Sequence, residues 1–267
     1  MTRARLFTPT LAAILVAIGC GSGRPQDAAA KTDASSRGAM QLAEAPAGVP
    51  PAAATGSASI HGAVKFAGTA PVMDRIKMDA DPACQQQHAT PVTAETVVVN
   101  GNGTLKNVFV YVKDGVQGTY PAPTTPVTLT QSGCWYTPHV FGLQANQPLE
   151  IVNNDGTLHN INAKPKTNQP FNIAQPVKGM KTTKKFTTPE VMVSFKCNVH
   201  PWMQAYTGVL NHPFFAVSDE AGNFTIAGLP AGTYVVEAWH EKCGTQTQTV
   251  TVHDGEAASI EVTFQAQ

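Results

Sequence analysis

Helical periodicity is almost missing from this chain of 267 residues. No segment keeps an i, i+3, i+4 apolar pattern for more than about two turns. Proline at 20 positions and glycine at 22 interrupt the stretches where one could run. An all-helical fold is thereby excluded. Dense basic tracts are also lacking, and 18 basic residues balance 18 acidic ones, so nothing favours a nucleic-acid partner. No C-x-x-C-H occurs, which excludes covalently attached c-type haem. The apolar stretch from Leu11 to Ile18 is too short to span a bilayer as a helix.

That stretch reads instead as a targeting segment. Arg3 and Arg5 supply a positive n-region, and Leu11 to Ile18 is the h-region, ending at Ala17-Ile18-Gly19-Cys20. Gly before Cys resembles a bacterial lipobox over residues 1–20, with Cys20 as the lipidated residue; the usual Leu three positions before the Cys is Ala17 here. Plain secretion and an uncleaved anchor are the alternatives. All three place the rest of the chain outside the cytoplasm, facing periplasm or cell surface. Residues 21–57 are rich in Ala, Pro, Ser, Gly and Gln with almost no large apolar side chain, the composition of a disordered tether.

From Ser59 onward short β patterns dominate. Ile60–Phe66 alternates; Thr96–Val99 is a β-branched run before the turn Asn100-Gly101-Asn102-Gly103; Val108–Val112 is apolar throughout and reads as buried on both faces. Val127–Thr130 and Pro148–Val152 are further strands. Lys184–Thr187 and Val191–Phe195 read as a pair around Pro189, and Tyr206–Leu210 follows. After Asn211-His212-Pro213 the composition shifts to short strands with D-E-x-G and L-P-x-G turns, the pattern of a small antiparallel sandwich.

Cys197-Asn198-Val199-His200-Pro201-Trp202-Met203 puts a thiolate, an imidazole and a thioether on one loop. Those donors are soft or borderline and suit copper better than calcium or magnesium. A trigonal Cys-His-His site with a weak axial Met needs one more His, and Asn153-Asn154-Asp155-Gly156-Thr157-Leu158-His159-Asn160 offers His159 at a strand end. Asn160 is placed to pin the Cys loop through side-chain to backbone hydrogen bonds. Taken singly, each residue reads more simply as a small core thiol, a surface imidazole or a packing thioether; together on seven residues they do not.

In an oxidising compartment Cys84, Cys134 and Cys243 remain once Cys197 is assigned to metal. Three thiols allow three single bridges, of which Cys84–Cys134 is preferred, leaving Cys243 free. Cys84-x3-His88 could alternatively be half a metal site. His139, His212 and His240 could form a second site or be turn and interface histidines.

Residues about 125–211 resemble a cupredoxin, the blue-copper fold of plastocyanin and amicyanin, through Cys134–Val140, Asn153–Asn160, Lys185–Glu190 and the Cys197–Met203 loop; Thr188-Pro189-Glu190 stands where that family often has Pro-Gly. Residues 212–267 resemble a carboxypeptidase regulatory-like, transthyretin-type sandwich through D-E-x-G-x-F-x-I-x-x-L-P-x-G-x-Y. The resemblances imply an all-β protein: a cupredoxin Greek-key sandwich within 58–211, plus a second sandwich over 212–267. Gly62-Ala63-Val64 and Asn107–Val112 also resemble that second domain's first strands, so the first unit either precedes the second or is inserted in it, with strands from 58–120 completing it. One copper ion, cycling between cuprous and cupric, would be held by His159, Cys197, His200 and Met203. The implied role is single-electron transport between extracytoplasmic redox partners such as a cytochrome or a copper/haem enzyme. His200 would be the surface electron port, and the lysines at 178, 181, 184 and 185 would steer an acidic partner or simply form a solvated strand face. Copper chaperoning, storage or sensing is the alternative. An oxidase or reductase would need H-x-H or H-C-H motifs, and none is present, so the chain is expected not to be an enzyme. A monomer, anchored through lipid on Cys20 and binding no nucleic acid, completes the expectation.

Overall fold

The computed structural model describes residues 56–266; the leader, Cys20 and most of the tether lie outside the described residues. Nearly all regular structure in them is strand. In chain order the elements are β1 (Ala58–Ala67), the short helix α1 (Pro82–Gln85), β2 (Phe109–Asp114), β3 (Val127–Ser132), β4 (Trp135–Thr137), β5 (Val140–Gln144), β6 (Leu149–Asn153) and β7 (His159–Lys164). They continue as β8 (Phe171–Gln175), β9 (Lys181–Lys184), β10 (Glu190–Lys196), β11 (Gln204–Leu210), β12 (Phe215–Val217), β13 (Asn223–Leu229), β14 (Gly232–His240), β15 (Gly244–Val252) and β16 (Ala257–Gln265).

Four sheets form two sandwiches. One has the orders β5-β11-β10-β7-β8 and β4-β3-β6-β9, and closes over Leu129, Tyr136, Leu143, Ile151, Ile161, Phe186 and Phe195. The other has the orders β13-β1-β16 and β12-β2-β14-β15, and closes over Ile60, Val110, Phe214, Ile226, Val236 and Phe264. Strand β1 runs parallel to β16, and β2 pairs with both β12 and β14. The two N-terminal strands therefore belong to the C-terminal sandwich, and the chain of residues 127–210 is inserted between β2 and β12.

Strand β2 explains how the two units are joined. Side chains of a strand alternate between its faces: Val108, Val110 and Val112 enter the C-terminal core, while Phe109 and Tyr111 point the other way, onto Val140 and Leu210. Gly142 on β5 and Gly208 on β11 leave room for the Phe109 ring; a Cβ at Gly208 would lie 2.3 Å from it.

Two sequence expectations are corrected. Thr96–Val99 forms no regular strand: Val99 makes one isolated bridge to Leu105 across the Asn100–Gly103 turn, and Val97 and Val99 serve as packing on the C-terminal core. Lys184–Thr187 does not pair with Val191–Phe195 either. β9 ends at Lys184 and pairs with β6, whereas β10 pairs with β11 and β7 in the facing sheet. Buried Phe186 carries the chain across the core between them. The Glu190 carboxylate then fixes the far side by accepting backbone N–H groups of Lys166, Thr167 and Asn168.

Candidate metal centre

The centre lies at one end of the inserted sandwich, where β7 begins and β10 ends. His159 opens β7, and Cys197 follows β10 directly. Between Cys197 and β11 the chain makes one tight loop, closed by Met203 N–H to His200 O at 3.0 Å and Cys197 N–H to Met203 O at 3.2 Å. Pro201 restricts φ within it. The loop returns its own side chains to one point: His200 N–H donates to Cys197 Sγ at 3.4 Å, and His200 Nδ1 lies 3.8 Å from that sulfur.

His159 meets them from across the sheet. Its Nδ1 is 2.9 Å from His200 Nδ1, and one ligand atom from each of His159, Cys197 and His200 falls within 4.8 Å of the others. All three are buried, as is Met203, which packs in the same cluster as Cys197. Asn160 anchors the loop: its Oδ1 accepts Asn198 N–H at 2.6 Å and lies 3.4 Å from Cys197 Sγ. Its own carbonyl accepts the Tyr136 hydroxyl.

Each imidazole is held from behind by a carboxylate. His159 Nε2 is 2.8 Å from Asp155 Oδ2, and His200 Nε2 is 2.8 Å from Asp81 Oδ2. A neutral imidazole carries one N–H, and a carboxylate beside Nε2 places it there. Both Nδ1 lone pairs then face the thiol. Two imidazole lone pairs and a sulfur converging on one point fit a soft or borderline cation such as copper.

The charges agree. Burial pushes the Cys197 thiol up, but hydrogen bonds to His159 and His200 and from backbone N–H outweigh it and bring it down to about 5, so the sulfur is a thiolate at neutral pH. Burial acts to lower both imidazoles, yet Asp155 and Cys197 raise His159, and Cys197 and Asp81 raise His200. Asp155 is pushed up by burial and brought down to about 2 by His159 and the N–H groups of Cys134 and Gly133.

Asp81 and Asp155 were not singled out by sequence reasoning. Asp155 sits four residues before His159, a spacing that was legible; Asp81 is 119 residues from His200, and no local signal marks it. A further correction concerns exposure. His200 is only 2% exposed, covered by Asp81 and α1, and does not form the surface edge expected of an electron port. Large apolar side chains that reach solvent beside the ligands include Leu158 and Val199, at 41% and 45%.

Cys84 and Cys134 are disulfide-bonded, with Cys84 Sγ 3.5 Å from His200 Nε2. Other convergences of ligand atoms among the described residues, Cys84–Cys134–His200 and Cys134–Asp155–His159, use these bonded sulfurs, which offer no thiolate. His88 contacts Gly133 O at 2.7 Å. Cys243 is a free thiol, raised by burial.

His139, His212 and His240 appear in no ligand cluster among the described residues. His139 faces Glu241 at 2.5 Å. His212 Nδ1 accepts Phe214 N–H, and His240 Nδ1 accepts the N–H groups of Lys242 and Cys243. Burial lowers both His212 and His240 from 6.5 to about 4. Between those values the unfolded chain binds protons that the folded chain refuses, so stability is full above about pH 6.5 and is lost as pH falls toward 4. By pH 5 each histidine should cost about 2 kcal/mol. Urea titrations at pH 7 and pH 5 check this. His212→Asn and His240→Asn, whose side-chain oxygens can take over the Nδ1 contacts, should each remove about 2 kcal/mol of the pH dependence; an unaltered slope would contradict the assignment.

The carboxypeptidase regulatory-like domain family matches residues 207–265, from β11 to the end of β16. No curated protein gives a match. Solved structures similar to part of the chain include a variant of amicyanin in its Cu(I) form, at 14% identity, 32% of this chain, 81% of that one and TM-score 0.28. A purple cupredoxin from Nitrosopumilus maritimus shares 17% identity over 31% of this chain and 97% of its own, with TM-score 0.27. A copper-containing nitrite reductase from Thermus scotoductus shares 22% identity over 35% of this chain and 24% of its own, with TM-score 0.28.

Proposed function

We propose that this chain is a mononuclear copper protein that carries single electrons between redox partners outside the cytoplasm. The observation that supports it most is the convergence of His159 Nδ1, His200 Nδ1 and the Cys197 thiolate, with a carboxylate behind each imidazole. Met203 would add a weak axial contact. A copper ion held there supplies a one-electron couple. The protein's part is to keep the donors fixed: β7 and β10 set the distance between His159 and Cys197, Asn160 ties the loop, and the carboxylates fix both rings. A site whose donors barely move between oxidation states suits electron transfer.

With His200 covered, electrons would leave through the exposed apolar ground at Leu158 and Val199. Lys178 and Lys181, exposed at the same end of the sandwich, would favour a partner with an acidic rim, such as a cytochrome or a copper/haem enzyme. Lipidation at Cys20 would hold a monomer at the membrane, with residues 21–57 as its tether.

A copper store, chaperone or sensor is the second reading. Of these, the enclosure of His200 suits a store, since a chaperone or sensor must exchange its ion readily. Voltammetry of the copper-loaded chain separates the two. A reversible one-electron wave, with intense visible colour on oxidation and bleaching on reduction, is expected of the carrier. A chain that takes only cuprous ion and stays colourless on oxidation would sink that reading.

A further inference from the structure

The segment between β1 and β2 contributes no regular strand to either sandwich, yet it supplies two of the atoms nearest to His200. Asp81 caps α1: its Oδ1 accepts the N–H groups of Ala83 at 2.9 Å and Cys84 at 3.4 Å. Its Oδ2 accepts the Thr157 hydroxyl at 3.2 Å and meets His200 Nε2 at 2.8 Å. The carboxylate is thus gripped from both sides and cannot turn away from the ring. One turn later the Cys84–Cys134 disulfide clips α1 to the β3–β4 turn. That turn is fixed in its own right. Asp155 accepts N–H from both Gly133 and Cys134 at 2.8 Å, and Trp202 Nε1–H donates to Cys134 O at 3.1 Å. The cover, the disulfide, the carboxylate behind His159 and the metal loop's own tryptophan form one connected assembly.

We propose that Asp81 is a positioning residue for His200, and that Asp81 with α1, stapled by Cys84–Cys134, forms a fixed cover that closes the candidate copper centre against metal exchange. The inference rests on the copper reading. Two consequences follow. A negative charge fixed directly behind a ligand imidazole stabilises the more positive oxidation state, so Asp81 holds the reduction potential down. The cover also shuts the His200 edge against a competing chelator.

The test uses the full chain loaded with copper. Two variants are compared with wild type: Asp81→Asn, in which asparagine keeps the helix cap but loses the charge, and the double variant Cys84→Ala with Cys134→Ala, which keeps the charge but frees the cover. Extraction of Cu(I) by bathocuproine disulfonate and the reduction potential are measured on each. Asp81→Asn should shift the potential upward and speed extraction about 10–100-fold, the usual cost of losing such a partner. The double variant should speed extraction while moving the potential much less. An unchanged potential in Asp81→Asn, or extraction from both variants at the wild-type rate, would overturn the proposal while leaving the copper reading intact. Failure of the wild-type chain to retain copper at all would overturn both.

Discussion

Replacing Cys197 by serine should abolish the intense visible absorption of the copper-loaded chain and leave its fold in place. The side chain is 3% exposed, follows β10 and takes part in no bridge. Its sulfur accepts His200 N–H and faces both imidazoles, contacts a hydroxyl of similar size can largely take over. What serine cannot supply is the thiolate. The neighbouring histidines draw the thiol down to about 5, whereas a hydroxyl stays protonated and is a hard, poor donor to copper. Metal content after dialysis and the optical spectrum are the readouts, and the unfolding midpoint of the apoprotein is the control. A serine variant that kept the band would place the chromophore elsewhere.

Phe109→Ala should have the largest effect on stability, costing about 3–5 kcal/mol. Phe109 is fully buried, yet it belongs to neither sandwich core. It leaves β2 on the face opposite Val108 and Val110, fills the space above Gly142 and Gly208, and packs on Phe215 at 5.6 Å between ring centres. Truncation would open a cavity in the seam joining the two sandwiches. The melting temperature should fall by roughly 6–20 °C for a protein of this size, while copper content below the transition stays at the wild-type value. Gly208→Val probes the same seam from the other side, since its Cβ alone would meet the Phe109 ring at 2.3 Å. Loss of under about 1 kcal/mol in Phe109→Ala, against the range for buried aromatic truncation, would show that the sandwiches are held together by other contacts.

The parts of this molecule that were legible in its sequence are those carried by short segments. Cys197, His200 and Met203 share one tight loop, so their spacing alone shows that they can meet. Strand β2 announces its two-sided burial by being apolar at every position from Val108 to Val112. Long-range relations were harder. The parallel pairing of β1 with β16 joins segments about two hundred residues apart, and only the likeness of the first strands to those of a regulatory-like domain hinted at it. Thr96–Val99 has strand composition but no partner beyond one bridge, because its valines serve as packing rather than ladder. Pro189 suggested a hairpin; instead Phe186 and Glu190 pin a crossing between facing sheets. At the centre itself, nothing near His200 in sequence indicates Asp81, so an exposed ligand edge was the natural expectation. The cover that removes it comes from a segment whose only local sign was a cysteine, Cys84, with a partner fifty residues away.

X-ray absorption at the copper edge of the loaded full-length chain, combined with metal analysis, tests the central claim most directly. One copper per chain, with a first shell of two imidazole nitrogens and one short sulfur, is the result that His159, His200 and Cys197 require. A shell of oxygens, a shell without the sulfur, or a chain that returns from dialysis without copper would contradict it.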